Sequence, residues 1–162
     1  MIFFAPFEIW SERREIFMRL STTARYSLRA MSDLCSRSQL GEDPVSVSDI
    51  ASRQDIPVNY LEQLFRKLRR GGLLESVRGA QGGYKLARPA GEISIADILD
   101  ALGEPFIFGA CQTEEGCKNI PTCPTFNLWR KVKGSVDEIL KATTLEEIAA
   151  PKNFPYSNLK ED

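Results

Sequence analysis

Three evenly spaced cysteines are the residues of this chain best suited to chemistry. Cys111, Cys117 and Cys123 form the pattern C-x5-C-x5-C within GACQTEEGCKNIPTCPTF. Glycine and proline interrupt the segment, which predicts a loop rather than a continuous helix or strand. A loop can bring three thiolates to one point, and three sulfur ligands suit zinc, copper(I) or an iron–sulfur cluster. Unrelated cysteines, or one disulfide with a thiol left over, are the alternative. Structural cysteines usually lie in apolar runs. The three cysteines of this segment have polar neighbours in the sequence, which favours a metal site.

Composition places the chain among globular proteins without a membrane span. Its 162 residues are enough for one core, or for a small domain plus an oligomerisation arm. Its 43% hydrophobic and 27% charged residues are typical of a soluble globular protein. The N-terminal MIFFAPFEIW contains Glu8 and is followed by SERRE, which is the wrong order for a secretory signal. We therefore expect no membrane partner and a cytoplasmic location, where thiols stay reduced and bind metal more often than they pair.

Charge is distributed unevenly along the chain. The total is −1, but residues 50–88 hold eight basic and three acidic side chains, a net of +5. Residues 89–162 hold seven basic and twelve acidic side chains, a net of −5. A basic window of this kind suits a polyanion, although a solvated charged face is the plainer alternative.

Two short helices and a hairpin are predicted inside and just before the basic window. Ser46-Val47-Ser48-Asp49 resembles a capping box for a first helix, and Pro57 suits the first position of a second. The second helix, VNYLEQLFRKLRR, has one apolar stripe and stops at Gly71. Its predicted outward residues are Asn59, Tyr60, Glu62, Gln63, Arg66, Lys67 and Arg70.

A glycine-tipped hairpin follows this helix pair. LLESVRG and GYKLAR alternate as strands do, and Arg78 lies at the base of the tip. A helix-turn-helix followed by a basic hairpin is a winged helix, whose second helix can enter the major groove of DNA. Helix pairs also occur in proteins that do not bind DNA, but the +5 window favours DNA.

The flanking segments are predicted to be helical. Ser21-Thr22-Thr23 caps a first helix whose face includes Leu20, Met31 and Leu34, while Ser94 to Asp97 caps the helix IADILDAL. A longer helix begins after Thr125 and carries an apolar stripe that predicts self-association, with packing inside the chain as the alternative. The stripe comprises Phe126, Trp129, Val132, Val136, Ile139 and Leu140.

The predicted fold class is mainly α with a small β wing, a winged helix-turn-helix plus a long dimerisation helix. The predicted divisions are an N-terminal extension 1–17, a DNA-binding domain 18–90, a linking helix 91–104, a cysteine loop 105–124, a dimerisation helix 125–142 and a C-terminal tail 143–162.

Several segments together resemble a known family. MRLSTTARYSLRAM, VNYLEQLFRKLRRGGLLESVRGAQGGYKLARP and the triple-cysteine loop are similar to the IscR family of winged-helix transcription regulators, over roughly residues 18–141. The resemblance implies a homodimer that binds palindromic double-stranded promoter DNA and is not an enzyme. It also implies an iron–sulfur cluster, 2Fe–2S or 4Fe–4S, that reports iron, redox state or nitric oxide.

The resemblance also implies residue roles. Cys111, Cys117 and Cys123 would be the cluster ligands. Glu62 and Gln63, with Asn59 nearby, would contact base edges, and Tyr60 belongs to the same DNA-binding set. Arg66, Lys67 and Arg70 would contact phosphates, while Arg78 would reach the minor groove or phosphates.

One departure from the family pattern concerns the fourth cluster ligand. IscR has a histidine three residues after the last cysteine; this chain has Phe126 there and no histidine anywhere. Other members use a carboxylate on the first helix, where this chain has Arg25. Glu104, Glu114, Glu115, Asp33 of the partner subunit and a small exogenous molecule stay open as the fourth ligand.

The fourth cysteine, Cys35, is expected to have no metal-binding role, and two other functions are considered for the chain. Cys35 lies in a helical, partly apolar stretch and is expected in the core. A zinc-stabilised module that binds DNA or protein without sensing is the alternative function. A thiol redox enzyme is disfavoured, because no C-x-x-C pair or acid–base pair accompanies the cysteines.

Overall fold

The computed structural model describes residues 20–79, 81–107, 109–112 and 116–150. The predicted extension 1–17, the tail from residue 151, Glu114 and Glu115 lie outside these ranges. In chain order, the elements are α1 Thr22–Gln39, α2 Val47–Gln54, α3 Val58–Arg70, β1 Leu74–Val77, β2 Gly83–Leu86, α4 Ile95–Leu102, α5 Phe126–Ala142 and α6 Leu145–Ala149.

Helix α1 supplies one wall of the core. Ser21 caps it, because the serine hydroxyl accepts a hydrogen bond from the Ala24 backbone N–H at 3.0 Å. Met31, Leu34 and Cys35 are buried against the other helices. Cys35 is 1% exposed, so its predicted place in the core is confirmed. Leu20 precedes the helix and is exposed, outside the predicted apolar face.

Helices α2 and α3 form the predicted helix-turn-helix. The Ser46 hydroxyl bonds the Ser48 hydroxyl at 2.7 Å instead of the helix backbone, so the helix forms without the predicted capping box. Asp55 ends α2 in the left-handed conformation. Pro57 precedes the first residue of α3, one position earlier than predicted, and Gly71 ends the helix as expected.

The hairpin forms the predicted wing. Strands β1 and β2 pair antiparallel, with Leu74 opposite Leu86 and Val77 opposite Gly83. Val45 extends the pairing through two 2.9 Å backbone hydrogen bonds with Tyr84. A Cβ on Gly83 would lie 2.2 Å from the Val45 carbonyl oxygen, so this close approach requires glycine. The predicted fold, mainly α with a small β wing, is confirmed.

Helix α4 packs between α3 and α5. At its first turn, Ser94 and Asp97 form the predicted capping box, and Arg88 pairs with Asp97 at 2.8 Å. Gly103 ends the helix in the left-handed conformation. The N-terminal end of α4 also bonds to the junction of α5 and α6, because the Ile95 N–H donates to the Thr143 carbonyl at 3.0 Å.

Helices α5 and α6 complete the described chain. Helix α5 continues through Gly134, and none of its side chains is fully buried. Helix α6 is held on α1 by the hydroxyls of Ser32 and Ser36, which donate to the carbonyls of Ile148 and Ala149. No helix in the described ranges has the length and apolar character that crossing a bilayer requires.

Two glycines provide a matched test of the packing between α3 and α4. A Cβ on Gly71 would lie 2.5 Å from the Cβ of Ala101, whereas a Cβ on Gly134 would meet nothing within 4 Å. We expect Gly71→Ala to lower the free energy of unfolding by about 1–3 kcal/mol, because the two helices must separate. Gly134→Ala should raise it by about 0.5–1 kcal/mol through helix propensity. Urea unfolding of both variants measures this, and equal effects would contradict the close approach.

Candidate nucleic-acid interface and cysteine segment

The outward side of α3 presents one row of polar side chains. Its opposite side, formed by Leu61, Leu64, Phe65 and Leu68, is buried in the core. The row is defined here as Asn59, Gln63, Arg66 and Arg70, whose spacing of four, three and four residues places them on one helix face. All four side chains are exposed. The row combines amide groups that can bond base edges with guanidinium groups that can bond phosphates.

Glu62 flanks the row and pairs with it. Its carboxylate lies 3.5 Å from the Arg66 guanidinium, and both side chains are about half exposed. An exposed pair at this helix spacing contributes about 0–1 kcal/mol to stability. It can therefore open without much cost when a phosphate or a base edge competes for either partner.

Tyr60 and Lys67 lie at the opposite edge of α3 and have partners within the chain. The Tyr60 hydroxyl bonds the Thr23 hydroxyl at 2.9 Å, and its ring packs edge-on against Tyr26. The Lys67 ammonium donates to the Leu102 carbonyl at 3.2 Å, at the end of α4. Both were predicted to face outward: Lys67 is exposed as predicted, whereas Tyr60 is half-buried. Their DNA contacts stay predictions.

The wing is held in a defined position beside α3. The buried Phe65 ring packs edge-on against the Tyr84 ring, with centroids 5.2 Å apart. The Arg69 guanidinium donates to the Ser76 hydroxyl at 3.2 Å. Arg78 follows β1 directly and is exposed. The hairpin and the row are therefore presented together, as a winged helix requires for simultaneous groove and backbone contacts.

A polar network that sequence reasoning missed joins α1 to α2. The Arg53 guanidinium donates to both oxygens of Asp33, with a closest distance of 2.6 Å. The Gln54 side chain donates to the same carboxylate at 3.2 Å, and Arg29 donates to Gln54. The partners are 20 or more residues apart, so no local pattern indicates them.

The three cysteines of the loop are free thiols in the described structure. We call residues 105–124 the cysteine segment. Cys111 lies in a short 3-10 turn, Ala110–Gln112, and Cys123 directly follows another, Ile120–Thr122. Each of the three thiols is partly exposed, unlike Cys35. The donor chemistry fits a soft metal or an iron–sulfur cluster. Among the described residues, however, no three metal-binding side chains lie close enough to share one ion, so the thiols must move to do so.

The local surroundings of Cys123 and Cys35 affect their thiols oppositely. The Thr125 hydroxyl lies 3.4 Å from the Cys123 sulfur. Hydrogen bonding from this hydroxyl and from the Thr125 backbone lowers the pKa of the Cys123 thiol. Burial, with a smaller effect from Glu146, raises the pKa of the Cys35 thiol. The thiolate is the form that binds metal, so these environments favour Cys123 over Cys35 as a ligand.

Among the carboxylates considered for the fourth ligand, two lie in described ranges. Asp33 accepts the hydrogen bonds of Arg53 and Gln54, and its side chain is 9% exposed. Binding a metal would require Asp33 to give up these partners. Glu104 instead begins the chain that leads from α4 to the cysteines and is half-buried. Arg25 lies on the exposed side of α1, with its guanidinium 5.7 Å from the centre of the Tyr26 ring.

Helix α5 exposes part of its apolar stripe and one flanking leucine. Within the stripe, Trp129 is 42% exposed and Ile139 is 63% exposed, and the other four members are partly buried. Leu128, beside the stripe, is 54% exposed. Leu140 lies on the other edge of the stripe and packs against the core. The stripe is thus divided between packing inside the chain and a surface that a single chain leaves uncovered.

Comparison with known proteins identifies the family. A family model for Rrf2, described as an iron-dependent transcriptional regulator, matches residues 20–151. The chain belongs to the Rrf2 family. The match includes the helix-turn-helix, the wing, the cysteine segment and α5, so the sequence resemblance to the IscR-type regulators is confirmed.

Named members of the family agree with this assignment. The transcriptional regulator IscR of Xenorhabdus nematophila is 44% identical over 131 residues, covering 81% of this chain and 79% of its own. The solved structure of T. potens IscR is 39% identical, with a TM-score of 0.63 over 80% of this chain and 85% of its own. CymR of B. subtilis, described as the global cysteine regulator, is 34% identical with a TM-score of 0.69, covering 85% of this chain and all of its own. These Rrf2 relatives are transcriptional regulators and not enzymes, as expected for this chain.

Proposed function

We propose that this Rrf2-family protein is a dimeric DNA-binding regulator that senses iron or redox status through an iron–sulfur cluster held by Cys111, Cys117 and Cys123. The observation that carries the DNA-binding part is the exposed row on α3 beside a fixed basic wing. The half-exposed cysteine segment and the uncovered face of α5 support the remaining parts.

Base recognition is assigned to the amide-bearing end of the row. Asn59 and Gln63 are exposed one helical turn apart, and amide side chains bond adenine edges in two places in the major groove. Glu62 can accept from the cytosine amino group when its pair with Arg66 opens. Arg66, Arg70 and Arg78 supply the phosphate contacts that fix the orientation of α3.

The row yields a test that separates recognition from general attraction. Gln63→Ala should lose about 1–3 kcal/mol of discrimination on an operator selected from random duplexes. Arg66→Met should weaken all sequences alike and lower the slope of log affinity against log salt by about one. Lys131→Met, on exposed α5, is the matched charge control and should change neither. Fluorescence anisotropy titrations measure these effects, and wild-type behaviour of both row variants would refute the docking model.

Dimerisation is assigned to the exposed part of the α5 stripe together with the flanking Leu128. A helix-turn-helix reads two half-sites about 34 Å apart only when two copies are joined by a symmetric interface. Leu128 and Ile139 are large apolar side chains that are more than half exposed in one chain. Covering both with the same face of a second copy buries apolar area and pairs the two wings.

The assembly is tested by Leu128→Asp combined with Ile139→Asp. The double variant should be monomeric in light scattering and should bind the palindromic operator poorly, because carboxylates cannot be buried unpaired at the interface. Lys131→Asp changes the net charge by the same two units on the same helix and should stay dimeric. A dimeric double variant would place the interface elsewhere.

The cluster is assigned to the three partly exposed thiols. Half-burial gives an entering metal access while limiting solvent, and the lowered pKa of Cys123 favours its thiolate. When bound, the cluster supplies a redox-sensitive and iron-dependent centre. With three cysteines in the segment and no histidine in the chain, the remaining position would take an oxygen ligand, for which Glu104, directly before the segment, is the candidate. Oxygen is a poorer match than sulfur for such a centre, which favours ready loss.

Anaerobic purification tests the cofactor. The wild-type protein should show visible absorption with bound iron and sulfide, and Cys111→Ala, Cys117→Ala or Cys123→Ala should each lose it. Cys35→Ala is the control and should keep it, because Cys35 is buried away from the segment with a raised thiol pKa. A colourless wild-type protein that binds zinc would favour the zinc-stabilised module instead. Loss of colour in Cys35→Ala to the same extent as in Cys117→Ala would contradict the ligand assignment.

A further inference from the structure

The C-terminal end of α4 contacts two functional parts of the molecule. On one side, Gly71 at the end of α3 lies so close to Ala101 that no side chain fits between them. On the other side, the chain turns at Gly103 and enters the cysteine segment two residues later. The same few residues of α4 therefore border both the recognition helix and the segment that carries the thiols.

Lys67 completes this junction. The last carbonyl groups of a helix lack partners within the helix. At the end of α4, the Gly103 N–H bonds the Asp100 carbonyl and the Glu104 N–H bonds the Leu99 carbonyl, both at 3.0 Å. The Leu102 carbonyl accepts instead from the Lys67 ammonium at 3.2 Å, across from α3. A cation at a helix C-terminus is also favoured by the helix dipole.

The first part of the cysteine segment lies against the same end of α4. Pro105 and Phe106 line a cavity of about 220 Å³ together with Leu99 of α4 and Leu140 of α5. Farther along, the Gln112 side chain donates to the Trp129 carbonyl of α5 at 3.1 Å. Movement of the cysteines would therefore displace the residues that follow Gly103. These residues are adjacent to the Leu102 carbonyl, which accepts the hydrogen bond from Lys67.

We propose that Lys67 is a positioning residue that caps α4 from α3 and couples the cysteine segment to the DNA-binding row. The inference rests on the proposed DNA-binding function and deepens it. Lys67 is one residue from Arg66 and three from Arg70 along α3, so its bond to Leu102 joins the end of α4 directly to the helix that carries the row. This role differs from the phosphate contact predicted from the sequence, and the two roles have different experimental signatures.

The salt dependence of DNA binding separates the two roles. On a duplex of arbitrary sequence, Lys67→Met should keep the wild-type slope of log affinity against log salt, while Arg66→Met lowers it by about one. Lys67→Met retains most of the aliphatic side chain and removes the donor. A slope lowered by about one in Lys67→Met would show a phosphate contact and overturn the inference.

The coupling between the cysteine segment and the row is measured by the rate at which the thiols react with a labelling reagent. By linkage, if the segment affects the row, then bound DNA must affect the segment equally. Full-length reduced, metal-free protein is labelled with iodoacetamide, with and without saturating selected operator, and each cysteine is quantified by peptide mass spectrometry. We expect operator to slow labelling of Cys111 three- to tenfold in the wild type and less than twofold in Lys67→Met, while Lys67→Arg restores the wild-type effect. Cys35 is the buried internal reference.

Each result has one meaning. Because the variants are compared on saturating DNA, simple shielding by DNA would slow Cys111 equally in all of them and would overturn the inference. No operator effect in the wild type, or no rescue by Lys67→Arg, would overturn it too. A wild-type protein that selects no operator would instead refute the proposed function.

Discussion

The burial of Phe65 is the contact on which the proposed DNA-binding surface depends. Its ring is fully buried with Leu61, Leu64 and Leu68, and it packs edge-on against Tyr84 of the wing. One helix thus supplies both the centre of the core and, on its other face, the exposed row. Rotating α3 by one residue, about 100°, would bury part of the row and expose Phe65. The free energy that holds the core therefore also sets which side chains of α3 face outward and where the wing lies beside them.

Features with local causes could be predicted from the sequence, and features with distant partners could not. The helix end at Gly71 and the capping box at Ser94 follow from neighbouring residues, and both are present, whereas the capping box predicted at Ser46 does not form. The contacts of Tyr60 with Thr23 and of Lys67 with Leu102 join residues 37 and 35 positions apart. Both residues lie at the edge of the apolar stripe, where a long polar side chain can turn outward or reach a neighbouring helix. Helical periodicity alone does not choose between these orientations.

The conformation of the cysteine segment is a second feature that could not be predicted from the sequence. Residue types and spacing predict a set of sulfur ligands, but they do not say whether the thiols converge before a metal binds. The described part of the segment forms short turns between the end of α4 and the start of α5, with the cysteines partly exposed and apart. Such a segment buries little apolar surface of its own, so its conformation is open to control by a ligand. The segment joins the end of α4 at Gly103 to the start of α5 at Thr125, so a rearrangement of the segment would act on the ends of these two helices.

The net charge of the basic window overstates the number of side chains available to phosphate. Of its eight basic residues, six have contacts within the chain: Arg53 with Asp33, Arg66 with Glu62, Lys67 with Leu102, Arg69 with Ser76, Lys85 with Glu75 and Arg88 with Asp97. Within the described residues, Arg70 and Arg78 have no such contact. The pair of Arg66 is exposed and weak, so Arg66 can join them on DNA. The pairs of Lys85 with Glu75 and of Arg88 with Asp97 are exposed as well, so only part of the positive charge is held firmly within the domain. Under the proposed function, the affinity would therefore depend also on base contacts from the row and on pairing of two protomers, the two properties that a change at the end of α4 would alter.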